Sequence, residues 1–150
     1  MNKYISIIFL AVFCSGVDAE EIGCGIEVIP KEKIKYGCGC AYWLETDPIL
    51  KPILQTGIDG WSVPYVHFKG NLVKAKPIEI ENIPDNAKIG DRFNQTFKIE
   101  ETVLKFENTV SSVCPPDSEG CEVTNFKTNV IINGPKCKIE IKGIQGDCGC

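Results

Sequence analysis

The chain has 150 residues, among them nine cysteines but a single histidine (His67) and a single arginine (Arg92), and a formal charge of −4. One histidine excludes a His-rich metal centre or a paired-histidine site, and an acidic chain lacks the clustered Lys and Arg that phosphate neutralisation requires, so nucleic acid is not an expected partner. Hydrophobic residues at 43% place it with folded chains rather than disordered ones.

Residues 2–19 read NKYISIIFLAVFCSGVDA. Lys3 gives a positive start, and Ile5 to Phe13 is an apolar run too short to span a bilayer as a helix. Val17 and Ala19 stand at −3 and −1 of a cleavage site. The expected organisation is a signal peptide over 1–19 and a single secreted β domain over 20–150, in the periplasm or outside the cell. Removing 19 residues from 150 leaves 131, and of the nine cysteines only Cys14 is lost. The remaining eight suit an oxidising compartment. No other segment is apolar for long enough to predict a membrane span.

The period of the mature chain is two. Ile34, Tyr36, Cys38, Cys40, Tyr42 and Leu44 share one face of a strand, and Trp43 falls on the other. Phe93, Phe97 and Ile99 alternate with polar residues, as do Leu104 and Phe106, Phe126, Val130 and Ile132, and Cys137, Ile139 and Ile141. Such alternation predicts half-buried antiparallel strands, near 33–44, 63–68, 71–81, 92–99, 102–113, 122–132 and 136–144. Turn residues separate them: Lys69-Gly70-Asn71, Pro115 to Gly120, and Asn133-Gly134-Pro135. Pro77 predicts a bulge that moves the apolar face from Val73 and Ala75 to Ile78 and Ile80. A parity change between Ile141 and Cys148 predicts another at Gly143 or Gly146. The stretch 45–62 is irregular, with one helical turn expected after Asp47 and stopped by Pro52. With almost no helix to cover it, the sheet is expected to close as one antiparallel barrel or sandwich of about seven strands, all-β and disulfide-stapled.

Cys114 and Cys121 flank a turn and are expected to pair. Cys38-Gly39-Cys40 and Cys148-Gly149-Cys150 each present two sulfurs on one strand face. The two Cα atoms of each piece stand about 6.5 Å apart with parallel side chains, which disfavours a bridge within it. Antiparallel pairing of the two pieces would set Cys38 opposite Cys150 and Cys40 opposite Cys148, leaving Cys24 to Cys137. The same cysteines admit two rivals, a four-thiolate metal site and a redox-active CGC, although no His or Arg lies near to lower a thiol pKa.

His67 reads as a wet-face strand residue beside a turn, with a ligand or general base as the alternative. Trp43, Trp61, Tyr65 and His67 are the candidate partner-binding residues, since large aromatics dominate interface energetics. No nucleophile, phosphate-loop or metalloprotease motif is present. The expectation is a non-enzymatic binding or inhibitory module of the cell envelope. Its partner would be an envelope or extracellular protein, with no cofactor and no metal. The alternatives are a thiol-disulfide redox protein and a protein that binds a metal through four cysteines.

The series CGC-x-Y-W, W-x-x-x-Y-V-H-F-K-G-N-L-V, G-D-R-F, V-C-P-P-D and the closing CGC resembles small exported cysteine-rich bacterial proteins of unknown function. The resemblance implies a β-rich secreted domain and carries over no activity and no site residue. Lysozyme inhibitors are similar in size, strand content and disulfides but share no motif.

Overall fold

The computed structural model describes residues 21–35, 37–45, 51–56, 64–84, 86–115 and 122–149. The expected signal segment 1–19, the expected turn at 47–50, Trp61, Cys121 and Cys150 lie outside them. The described strands are β1 (Glu21–Gly23), β2 (Ile26–Glu27), β3 (Gly39–Leu44), β4 (Pro52–Gln55), β5 (Tyr65–Phe68), β6 (Asn71–Lys74), β7 (Lys76–Ile80), β8 (Arg92–Ile99), β9 (Thr102–Ser112), β10 (Thr124–Gly134) and β11 (Cys137–Gly149). The one helical element among the described residues is a 3₁₀ turn at Lys31–Lys33.

The protein is all-β and antiparallel, as the period of two requires, but its sheet is neither a closed barrel nor a sandwich of seven strands. Eleven strands form one open sheet in the order β1-β2-β5-β4-β3-β11-β10-β9-β8-β7, with β6 beside β5. Strands are present in all seven predicted places, the one expected over 33–44 only from Gly39 onward and the one over 71–81 divided at Ala75 into β6 and β7. The short β1, β2 and β4 are additional. Periodicity marks a strand, but no local signal says how many strands pair or whether the last meets the first.

Two-residue turns set the register. Phe68 pairs with Asn71 across Lys69–Gly70, where φ is +48° and +80°. Positive φ at both turn residues matches the right-handed twist of the flanking strands, and glycine takes the second at no steric cost. Ile99 pairs with Thr102, and Gly134 with Cys137, across equally short loops. The expected bulges occur. Register shifts between Pro77 and Glu79 on β7. It shifts again where Thr128 pairs with Ile144 but Val130 with Ile141, beside Gly143 at φ +74°. The first bulge does not turn Ile78 and Ile80 inward as expected. They are 55% and 42% exposed, because β7 ends the sheet and pairs only with β8.

The sheet bends strongly upon itself. Tyr42 on β3 donates its hydroxyl proton to Gln95 Oε1 on β8 at 2.8 Å, although three strands lie between them in the sheet. Lys69 Nζ, in the β5–β6 turn, lies 2.9 Å from Glu100 in the β8–β9 turn. The concave side holds the core, where Tyr42, Phe93, Phe97, Phe106 and Phe126 pack with ring centroids 4.7 to 5.7 Å apart. A few buried polar groups are satisfied among them: Thr128 Oγ1 donates to Asn108 Oδ1 at 2.8 Å. Burial pushes the Tyr42 phenol well above its ordinary pKa, and a hydrogen bond with Asn108 offsets part of that.

Strands β4 and β5 are covered on both faces. Leu54 and Val66 face the core, while Ile53, Gln55, Tyr65 and His67 have the opposite parity and are buried too. Segment 28–35 lies over them. Ile29 N–H donates to Pro52 O at 2.7 Å, and Gln55 Nε2 donates to Lys35 O at 3.3 Å.

Candidate functional site

His67 is not on a wet face: it is 2% exposed. Lys33 Nζ donates to its Nε2 at 3.2 Å, which leaves the proton on Nδ1, 2.6 Å from Glu27 Oε2. The carboxylate lies off the N–H direction, so the contact is an electrostatic one rather than a well-aligned hydrogen bond. The imidazole is thus held between two charged side chains under segment 28–35. Tyr65 is 8% exposed and buried beside it on the same strand face. Tyr65 and His67 are therefore not presented at an open edge, because a segment read as part of a strand folds over them instead. Asp91 caps its own turn by accepting Lys88 N–H at 2.8 Å.

Trp43 is half-buried on the outer, convex face, as its parity predicts. It stands at the side of a hollow of about 330 Å³ over β3, β4 and β11. Strand register shows how the hollow is built. Ala41 pairs with Gln55 on one side and with Asp147 on the other, so three side chains of one row share the outer face. The middle one is a methyl group. Neighbouring strands are about 4.8 Å apart, so a gap roughly 10 Å wide opens above Ala41 between the two polar residues. Trp43 lies two residues along β3 on the same face. At the other side Thr56 Oγ1 accepts Cys40 N–H at 2.9 Å and fixes the end of β4.

The polar groups of this row are unevenly satisfied. Gln55 is 2% exposed. Its Nε2 bonds to Lys35 O, which sets the amide's orientation, and its Oε1 has no partner among the described residues. Asp147 is half-buried. Desolvation raises its carboxyl pKa above the ordinary value, and backbone hydrogen bonds from Ala41 and from Asp147 itself only partly oppose this. The folded chain thus holds this proton more tightly than the unfolded chain. Ionisation subtracts from stability as pH rises through that window, and the loss is absent below it.

Two further hollows of about 270 Å³ are chemically quieter. One is lined by Glu45, Glu107, Asn129 and Lys142. There Asn129 Oδ1 lacks a partner among the described residues, but Lys105 pairs with Glu107 at 2.7 Å and holds that carboxyl below its usual range. The other lies among the turns around Cys24 and Cys137.

The sulfurs of the described cysteines are committed to bridges. Cys24 bonds to Cys137 and Cys40 to Cys148, the latter between directly paired residues of β3 and β11. Cys38 and Cys114 are disulfide-bonded as well. The expected Cys38–Cys150 and Cys114–Cys121 bridges each include a residue outside the described ones. A four-thiolate metal site needs free thiolates, and Cys40 and Cys148 have none to give. Among the described residues no group of three or more His, Cys, Asp or Glu is placed to hold a metal. A CGC that cycles through its own internal disulfide is likewise not what is present, since Cys40 is bonded across the sheet.

Gln55, Ala41 and Asp147 were not singled out from the sequence. The pairing of Cys40 with Cys148 already implies that Ala41 faces Asp147, so that half of the row was within reach. Gln55 was not, because 47–54 reads as a capped helical turn. Compared with known proteins, the chain matches no family model, no curated protein and no solved structure.

Proposed function

We propose that this protein is a non-enzymatic binding module that works in the periplasm or outside the cell, and that it meets its partner through the outer face around Trp43. The observation that carries this reading is the hollow of about 330 Å³ on the outer face, with the half-buried Trp43 at its side. Two bridges closing sequence separations of 113 and 108 residues fit an oxidising compartment and make the scaffold rigid, which lowers the ordering cost of association. No helix among the described residues is long and apolar enough to cross a membrane.

The test is crosslinking capture from native envelope and culture fractions, with the intact mass of the recovered protein measured alongside. The expected result is a chain beginning near Glu20, and one reproducible partner whose retention falls at least tenfold on Trp43→Ala while the melting temperature stays within a few degrees. Tenfold corresponds to about 1.4 kcal/mol, ordinary for an aromatic anchor. A partner indifferent to Trp43, or insulin reduction that vanishes on Cys40→Ser, overturns the reading in favour of another face or of redox chemistry.

A further inference from the structure

His67 is the one histidine of the chain, and it is buried between two groups that respond to a proton in opposite ways. Glu27 Oε2 lies 2.6 Å from Nδ1 and also accepts Gly70 N–H at 3.1 Å, so the sheet itself fixes the carboxylate. Lys33 Nζ lies 3.2 Å from Nε2 on the other side. An ammonium has donors only, so this contact lasts only while Nε2 keeps its lone pair. A second proton on the ring ends it. Two N–H groups and two positive charges then face each other, while the Glu27 contact becomes a full ion pair. We infer that segment 31–35 is an acid-released strap, held over the outer face of β4 and β5 by Lys33 when His67 is neutral and let go when His67 is protonated.

Among the described residues the rest of the strap's hold is slight. None of Lys31, Glu32 and Lys33 is buried, and their 3₁₀ turn closes on itself through Lys33 N–H to Pro30 O. Lys33 Nζ meets Gly70 O at 3.5 Å, the far limit of a hydrogen bond. Past the turn, Ile34 is half-buried, and Gln55 Nε2 donates to Lys35 O over 3.3 Å. Val28 and Ile29, by contrast, are buried, and Ile29 N–H is bonded to Pro52 O. The strap therefore hinges near Pro30, and only its second half comes away. Opening brings water to Gln55 Oε1, which has no partner among the described residues while the strap is closed. It also uncovers Tyr65, and it removes the wall that Ile34 and Lys35 give to the hollow beside Trp43.

The surrounding charges leave the choice to Lys33. Glu27 touches the imidazole with the strap closed or open, so it does not bias one state over the other. Lys33 touches it in the closed state alone, and only a differential contact shifts an equilibrium. From β5 and β6, Lys69 is paired with Glu100, and Lys74 Nζ lies over the Tyr65 ring, 5.6 Å from its centroid. Strand β4 carries no charge, and Lys31, Glu32 and Lys35 are exposed. Proton uptake at Nε2 and closure of the strap exclude each other, so acid favours opening and alkali favours closing.

Nuclear magnetic resonance of the intact, oxidised protein reads both halves of the device, because one histidine gives one unambiguous set of ring signals. The ring is expected to protonate between about pH 8 and about pH 5, where histidine ordinarily changes charge. Over the same window the contacts between Lys33 side-chain and His67 ring protons are expected to vanish. Backbone order parameters of residues 31–35 are expected to fall from about 0.85 to roughly 0.6 or below, while those of Tyr42 and Phe106 stay high. Lys33→Met keeps the carbon stem without the charge, and His67→Gln keeps a neutral acceptor at every pH. Both are expected to remove the pH dependence of the strap, with core amide shifts matching the parent as the check on folding. A strap that stays ordered in the parent while the ring protonates overturns the inference, as does a ring that stays neutral throughout the window. So does a Lys33→Met variant whose strap still opens in acid, since the opening then owes nothing to the ammonium. The reading of the Trp43 face as a binding site stands or falls separately, because these measurements read the strap and no partner.

Discussion

Replacing Gly146 with alanine is expected to destabilise the protein by about 3 kcal/mol, the upper end of what overpacking costs. Residue 146 faces the core on β11, and its cross-strand partners are Phe126 on β10 and Tyr42 on β3. The two rings lean together over the glycine with centroids 5.5 Å apart. A Cβ built at Gly146 would press into the Phe126 ring and lie 2.9 Å from that of Tyr42. Neither ring has room to retreat. Both are buried, Phe126 packs edge-on against Phe93, and Tyr42 is tied by its hydroxyl to Gln95. Alanine stiffens the unfolded chain and so gains about 0.4–1 kcal/mol, which is too little to offset the clash. Urea unfolding at unchanged slope measures the difference. Gly143→Ala is the comparison: its φ of +74° imposes backbone strain of about 1–2 kcal/mol, but the new Cβ meets nothing closer than Glu45 Oε2 at 3.8 Å. If Gly146→Ala costs no more than Gly143→Ala, the row of two rings over a glycine does not carry the core.

That row shows what the sequence discloses and what it hides. Tyr42, Phe126 and Gly146 all lie at inward positions of a period-two pattern, so their burial was legible. Their meeting was not, because the register of β3 against β11 and of β11 against β10 is decided by the bulge at Gly143 and by pairing across more than a hundred residues. The CGC pieces were the exception. Two sulfurs on one strand face have little to bond to except a second such pair, and the antiparallel pairing of β3 with β11 then puts Cys40 opposite Cys148. The segment at 52–55 misled for a local reason. Asp47-Pro48 and Pro52 imitate a capped helix, yet Pro52 is tolerated as the first residue of a strand and accepts Ile29 N–H through its carbonyl. Burial of His67 and Tyr65 followed from 28–35 folding over the outer face of β4 and β5, a tertiary event with no periodic signature.

Removing the Cys24–Cys137 bridge by the double change to alanine is expected to cost about 2–5 kcal/mol, with the melting transition falling accordingly. The bond joins the β1–β2 turn to the β10–β11 turn across a sequence separation of 113 residues. In the chain-entropy account a loop of that length contributes nominally about 4.7 kcal/mol through the unfolded state. The native contribution is local as well. β1 and β2 pair with the rest of the sheet at two positions, Ile26 with Phe68 and Glu27 with His67, extended by Lys69 N–H to Gly25 O at 2.9 Å. The four two-residue turns at 24–25, 69–70, 100–101 and 135–136 gather at that end, where the Lys69–Glu100 pair is too exposed to hold them. The Cys40–Cys148 bridge has a similar separation, 108, but joins strands already paired from Gly39 to Leu44. Loss of either bridge should therefore lower global stability by similar amounts. Only loss of Cys24–Cys137 should also open the amides of residues 22–27 to hydrogen exchange at rates unlinked from global unfolding. Equal protection of 22–27 in both double variants would show that the N-terminal strands stay docked without their bridge, and the bond would then act on the unfolded chain alone.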